Sequence, residues 1–173
     1  MYETREELIR LQELLDTSAA LAGSHMRGII TEERRLSASQ VCAVMQGMCL
    51  LVVATVTADG RPLAGPVDGY LLHGSLCFSS GRDSVRICHL TRRPTVTATY
   101  LPYEHLAVTV HGRAELFDVL DPERPELRQA MLDWYIPRQG PSFAEWLEHS
   151  DAVGVRIDAH KMFTFHMGEA IVE

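Results

Sequence analysis

The run Leu50-Leu51-Val52-Val53-Ala54-Thr55-Val56, followed at once by Thr57-Ala58-Asp59-Gly60, constrains the fold of this chain more than any other segment. Its valines and threonine are branched at Cβ, which restricts χ1 and favours an extended, half-buried backbone. Asp59-Gly60 supplies the positive φ that a tight hairpin needs. A strand therefore starts near Cys49, turns at Asp59-Gly60 and returns from Leu63 to Leu72. Pro62 and Pro66 lack an N–H, which places part of the return strand at a sheet edge or a bulge.

The same period recurs along the chain. His73-Gly74-Ser75 reads as a turn into a third strand, Leu76 to Ser79. Thr95 to Tyr100, Leu106 to Phe117, Val153 to Asp158 and Met162 to Val172 read as further strands. Helical spacing governs other stretches. Leu8, Leu11 and Leu15 form one stripe of a helix over residues 3–21, after which Gly23 and Gly28 loosen the chain. Ser37-Ala38-Ser39-Gln40 is a capping-box pattern opening a second helix that ends near Gly47. Residues 123–136 and 142–149 also read as helices. Six or seven short strands with helices at the periphery predict a mainly β, α+β fold, an antiparallel barrel closed or nearly so. A chain of 173 residues fits one domain, 1–173, with a helical N-terminal extension (1–47) and a helical insert (121–149).

Charge narrows the partners. The formal net charge is −7, which argues against a general binder of nucleic acid or anionic membranes. An anion site must then be a local concentration of cations. Lys161 is the only lysine, an arginine bias expected of a GC-rich genome. Cys42, Cys49, Cys77 and Cys88 form no C-x-x-C pair and read as reduced, buried thiols, suggesting a cytoplasmic protein. Glu3, Glu6 and Glu7 do not suit a signal peptide. The longest apolar run, Val41 to Ala58, is broken by Gln46, Gly47 and two threonines and falls short of a membrane span. Gly23-Ser24-His25-Met26 has the look of a cloning scar but lies inside the chain and is read as native.

Local cations do concentrate in Ser79-Ser80-Gly81-Arg82-Asp83-Ser84-Val85-Arg86-Ile87-Cys88-His89-Leu90-Thr91-Arg92-Arg93-Pro94. Four arginines and a histidine meet one acid, Asp83, and Ser84 opens a short helix over Ser84 to Leu90. Hydroxyls, a helix N-terminus and an arginine one turn in make a phosphate cradle. A solvated basic loop is the competing reading of the same residues.

The spacing resembles the pyridoxamine-phosphate-oxidase-like split barrels. In that family an apolar strand ends in Thr or Ser, and a Ser four residues on opens a short helix. A Lys or Arg follows two later, and an Asn-Leu/Ile leads to a Pro that starts the next strand. Ser80, Ser84, Arg86, His89-Leu90 and Pro94 fit that register, and Ala54 to Pro62 with Pro66-Val67 resembles the family's first hairpin. The likeness is good over about residues 40–118 and loose elsewhere. It implies that Ser80, Ser84 and Arg86 hold a cofactor phosphate, with Arg93 as a further candidate. It also implies that the strand around Thr57 and Pro66, Val67 and Asp68 passes alongside a flavin ring, within a homodimer.

The departures matter. True pyridoxamine phosphate oxidases carry Arg where this chain has Gly65, Lys where it has Tyr70, and Arg where it has Val85. Oxidase activity on vitamin B6 is therefore not expected. A small residue before the basic one is closer to the branch containing F420-dependent reductases, and the arginine bias suits bacteria that use that cofactor. The expectation is an F420-dependent oxidoreductase, with FMN as the alternative, acting on a small organic substrate. A non-catalytic flavin or tetrapyrrole binder or sensor remains the alternative from another class. No catalytic acid or base is visible, the eight histidines show no metal-ligand spacing, and no nucleophile elbow occurs. His111 alternates with valines and reads as packing or solvent-facing, and His89 as a cap on the arginine loop. Trp134, Tyr135 and Trp146 in the insert read as core or dimer-contact residues.

Overall fold

The computed structural model describes residues 2–168. The chain begins with α1 (Arg5–Ala20), α2 (Ser24–Ile29), a single 3₁₀ turn (Glu32–Arg34) and α3 (Ala38–Val44). There follow β1 (Cys49–Val56), β2 (Pro62–Leu72), β3 (Ser75–Gly81), α4 (Val85–Arg92), β4 (Thr95–Tyr103) and β5 (Leu106–Asp118). Then come α5 (Pro125–Gln139), α6 (Ser142–His149) and β6 (Ala152–His166).

The six strands close into an antiparallel barrel in the order β1-β2-β3-β6-β5-β4. Closure removes the exposed edges that an open sheet would carry. Gly60 takes φ +84° in the first hairpin, as the Asp-Gly signal requires. Pro62 and Pro66 lie in the half of β2 that pairs with β1 alone, while Gly69 to Leu72 pair with β3, Gly69 pairing with β1 as well. A proline in that half leaves no ladder bond unmade.

The two last strands expected from the sequence are one. β6 runs unbroken from Ala152 to His166, and the expected continuation to Val172 lies partly outside the described residues. The apparent break is a bulge: His111 pairs with Lys161 and Gly112 with Ala159, leaving His160 as the extra residue. Gly112 permits it, since a β-carbon there would stand 2.3 Å from the Asp158 carbonyl oxygen. The glycine-loosened segment after α1 is also ordered, as α2 and the 3₁₀ turn.

Alternate residues of each strand fill the barrel, with Leu51, Val53, Phe78, Val96, Val110 and Val155 almost wholly buried. Ile87 and Leu90 of α4 join this core and so fix the helix against one end of the barrel. The N-terminal helices wrap the outside. The expected capping box of Ser37 with Gln40 forms, and a second one, Thr4 with Glu7, opens α1. Buried Ser18 accepts the Met162 N–H at 2.9 Å, and Thr164 accepts the Leu36 N–H at 2.9 Å, so two hydroxyls clamp this segment onto β6. A second core lies on the outer face of β2 and β3, where Tyr70, Leu72 and Cys77 pack beneath Leu127, Met131, Phe143 and Leu147 of α5 and α6.

Three cysteines are buried, and burial pushes the Cys49 thiol up to about 11 and Cys77 to about 12. Cys88 departs from the expectation: it lies on the outer face of α4 and is exposed. No helix among the described residues is long and apolar enough to cross a membrane.

Candidate functional site

The end of β3 and the start of α4 bring the expected cradle together. Ser84 is the N-cap of α4, its Oγ accepting the Ile87 N–H at 3.3 Å. Ser80, at the end of β3, donates its hydroxyl to Ser84 Oγ at 3.0 Å. Capping satisfies one of the N–H groups that a helix start leaves open, and the others in that turn remain available to an anion. The chain reaches this geometry because Gly81 to Asp83 form a short turn, closed by the Ser84 N–H to the Gly81 carbonyl at 3.0 Å.

Arg86 extends from the first turn of α4 across to β2. Its Nη2 donates to the carbonyls of Pro66 at 3.2 Å and Gly65 at 3.4 Å. The side chain is half-buried, and no carboxylate pairs with it among the described residues. Burial holds its pKa below the usual guanidinium value, the sign of a cation short of counter-charge. A β-carbon on Gly65 would meet Arg86 Nη2 at 3.4 Å, so Arg86 occupies the space that an arginine at position 65 would enter. Val85, by contrast, is 61% exposed and supplies no charge.

The other predicted residues are spread further. Arg93 donates from Nε to the Val56 carbonyl at 2.9 Å, at the hairpin end of β1. Thr57 lies in that hairpin, and its Oγ1 accepts the Arg61 N–H at 2.8 Å while also bonding Asp59. Its hydroxyl is thus engaged in the turn. Val53 pairs with Gly65 and Val56 with Pro62, so Arg93 and Thr57 sit about three residues, or about 10 Å, along the ladder from the Arg86 contact. Arg82 is committed to an exposed ion pair with Asp151 at 2.8 Å. His89 does not cap the arginine loop: its Nδ1 lies 3.0 Å from Thr55 Oγ1 and ties α4 to β1. His111 is half-buried on the outer face, its Nδ1 2.9 Å from Thr97 Oγ1.

Pro66, Val67 and Asp68 follow one another along β2 directly beyond the Arg86 contact. Asp68 accepts the Tyr135 hydroxyl of α5, a contact that residue spacing did not reveal because 67 positions separate the pair. Among the described residues no three His, Cys, Asp or Glu gather as a metal site.

A closed six-stranded antiparallel barrel with a serine-capped helix and a half-buried arginine at one end defines the class, a split β-barrel. The chain belongs to the pyridoxamine 5'-phosphate oxidase family, whose signature it matches over residues 39–165. No curated protein matches it. Among solved structures it is similar to a conserved hypothetical protein of Mycobacterium tuberculosis, at 17% identity and TM-score 0.55 over 92% of this chain and 96% of that one. It is similar to an F420 reductase at 16% identity and TM-score 0.54, covering 69% of this chain and 93% of that one. It is also similar to the heme storage protein HutZ of Vibrio cholerae at 16% identity and TM-score 0.57, over 69% and 87% of the two chains. At such identities the likeness is one of fold.

Proposed function

We propose that the chain binds the phosphate of a flavin-type cofactor, F420 before FMN, and transfers hydride or electrons to a small organic substrate. The observation that carries this reading is Arg86, a half-buried cation with no carboxylate partner among the described residues, fixed beside a serine-capped helix start. Ser80, Ser84 and Arg86 would hold the phosphate, and the backbone of Pro66 to Asp68 would lie along the ring. The cofactor supplies the redox chemistry; the protein supplies position, electrostatics and exclusion of water.

One inner cation suits a phosphodiester, as in F420, better than the compact dianion of FMN. Exposed Val85 is the feature behind that preference. Arg92 and Arg93 would meet an acidic tail through solvent, in weak and salt-sensitive contacts. The same reading proposes a homodimer. The outer face of β1 and β4 presents Leu50 at 57%, Val52 at 47% and Leu101 at 58% exposure, an apolar strip that a second copy would cover.

Side-by-side titration with F420, FMN and haem at two salt concentrations tests the reading. F420 is expected to bind most tightly, more weakly as salt rises, and Arg86→Ala to lose about 1.5–3 kcal/mol of that binding. Unchanged affinity in Arg86→Ala refutes the cradle, tighter FMN binding at both salts refutes the cofactor preference, and a Soret band with haem alone favours a tetrapyrrole carrier.

A further inference from the structure

The cradle has a neighbour that its residues do not line. On the outer face of β2 and β3, roofed by α5 and α6, lies a cavity of about 650 Å³. Asp68, Tyr70, Tyr135, Phe143 and Trp146 form its chemistry. That volume falls within the range of small-molecule sites. At this end the β2–β3 ladder stops at Gly69 and Phe78, and the next residues outward are Asp68 and Ser79, both in the cavity wall. One residue beyond Ser79 is Ser80 of the cradle, and two before Asp68 is Pro66, whose carbonyl carries Arg86. Cavity and cradle therefore lie end to end along the same two strands, a few ångströms apart.

Two features describe what the cavity takes. One is an aromatic wall. Tyr135 stacks on Phe143 with centroids 4.6 Å apart and planes 29° apart, and Phe143 meets Trp146 at 5.3 Å and 33°. Trp146 ends this series 59% exposed, with indole surface left uncovered. The other is an acceptor. The Asp68 carboxylate takes the Tyr135 hydroxyl through Oδ2, and no cationic side chain pairs with it among the described residues. Burial, and then the bond to Asp68, push the Tyr135 phenol up, so it stays a donor to Asp68 rather than ionising. The buried Tyr70 hydroxyl, in the same cavity wall, has no hydrogen-bond partner of good geometry among the described residues. A buried hydroxyl left in that state favours a ligand that completes it.

We propose that this cavity is the substrate subsite of the same centre and takes a planar aromatic or heteroaromatic molecule bearing a cationic or hydrogen-bond-donating group. The proposal rests on the cofactor reading given above. The ring would lie on the Trp146 face, and its donor would meet the free Asp68 oxygen. The cofactor ring, placed along the β2 backbone, fits the side-chain face of Asp68 less well: on reduction either deazaflavin or flavin acquires negative charge, which a carboxylate with no cationic partner among the described residues opposes.

Proflavine, a planar cation with two amino groups, and anthracene-9-carboxylate, a planar anion of the same ring count, serve as probes. Binding to the full chain is followed by fluorescence anisotropy at about 150 mM salt, where long-range attraction to an acidic protein is screened. The expected result is binding of proflavine at least ten-fold tighter than the anion. Trp146→Ala should weaken proflavine at least ten-fold, and Asp68→Asn should remove the preference for the cation. Arg86→Ala should leave proflavine unaffected while cofactor affinity falls, so the two readings fail separately. Equal affinity for both probes, indifference to Trp146→Ala and Asp68→Asn, or competitive displacement of proflavine by F420 or FMN would each overturn the substrate assignment.

Discussion

Arg86 lies across Gly65. Its Nη2 reaches the Gly65 carbonyl at 3.4 Å and stands 3.4 Å from where a β-carbon on that residue would be. The absent side chain at position 65 is thus what lets the helix-borne cation bridge to β2. A methyl group at 3.4 Å is ordinary contact against the flexible end of an arginine. Gly65→Ala should therefore leave anion binding nearly intact, whereas Gly65→Leu should displace Arg86 and weaken cofactor binding about as much as Arg86→Ala, roughly 1.5–3 kcal/mol. Titration of the two variants with cofactor checks this, and equal affinities would refute the bridge.

Ser84 has two roles that substitution can separate. As N-cap its loss to alanine should cost about 0.5–2 kcal/mol of stability, while glycine should cost only a few tenths. Both variants remove the hydroxyl from the cradle, so both should weaken cofactor binding alike. Urea midpoints read the first effect and cofactor titration the second. Cofactor binding that follows stability instead would mean that Ser84 acts as a cap alone.

Gly112 marks the bulge opposite His160. Its added β-carbon would stand 2.3 Å from the Asp158 carbonyl oxygen and 2.7 Å from Ile157 Cγ2. Backbone cannot yield as a side-chain end can. Gly112→Ala should destabilise by more than about 2 kcal/mol, among the larger effects of single substitutions. Denaturant unfolding against the wild type decides it, and a loss near zero would mean that the bulge shifts register at no cost.

His111 makes stability depend on pH. Its imidazole is held below its ordinary value, first by burial and then by His160 and Lys161. In the unfolded chain it titrates near 6.5. Below that pH the unfolded state binds a proton that the folded state refuses, so stability falls with pH. The contribution is present above the ordinary imidazole value and is lost as pH drops toward the lowered folded one. Unfolding midpoints at about pH 7.5 and about pH 5.5 should converge in His111→Gln relative to wild type. An identical pH dependence in both proteins would assign the effect elsewhere.

The apolar strip on β1 and β4 predicts association. At micromolar concentration, light scattering should give the mass of two chains, and Val52→Glu should return it to one. The interface should exceed about 1,000 Å² of total buried area, the usual threshold for a specific complex. A wild-type mass of one chain would remove the dimer.

What the sequence determined alone was local. The β-branched run and Asp59-Gly60 specify the first hairpin, Thr4 with Glu7 and Ser37 with Gln40 specify two helix starts, and Ser80, Ser84 and Arg86 have a spacing that places them around one helix N-terminus. Each signal lies within a few residues, where backbone stereochemistry and capping act directly. The tertiary structure decided what depends on distant partners. His160 is a bulge rather than a break because β5 runs beside it, a pairing across some fifty positions. Arg86 turns to β2 because Gly65 leaves the room, and Asp68 acquires a role only when α5 delivers Tyr135 to it. Ser18 and Thr164 clamp the N-terminal helices through bonds to backbone more than a hundred residues away. Such contacts leave no periodic trace, because they are selected by closure of the barrel and not by the conformational preference of the residues that make them.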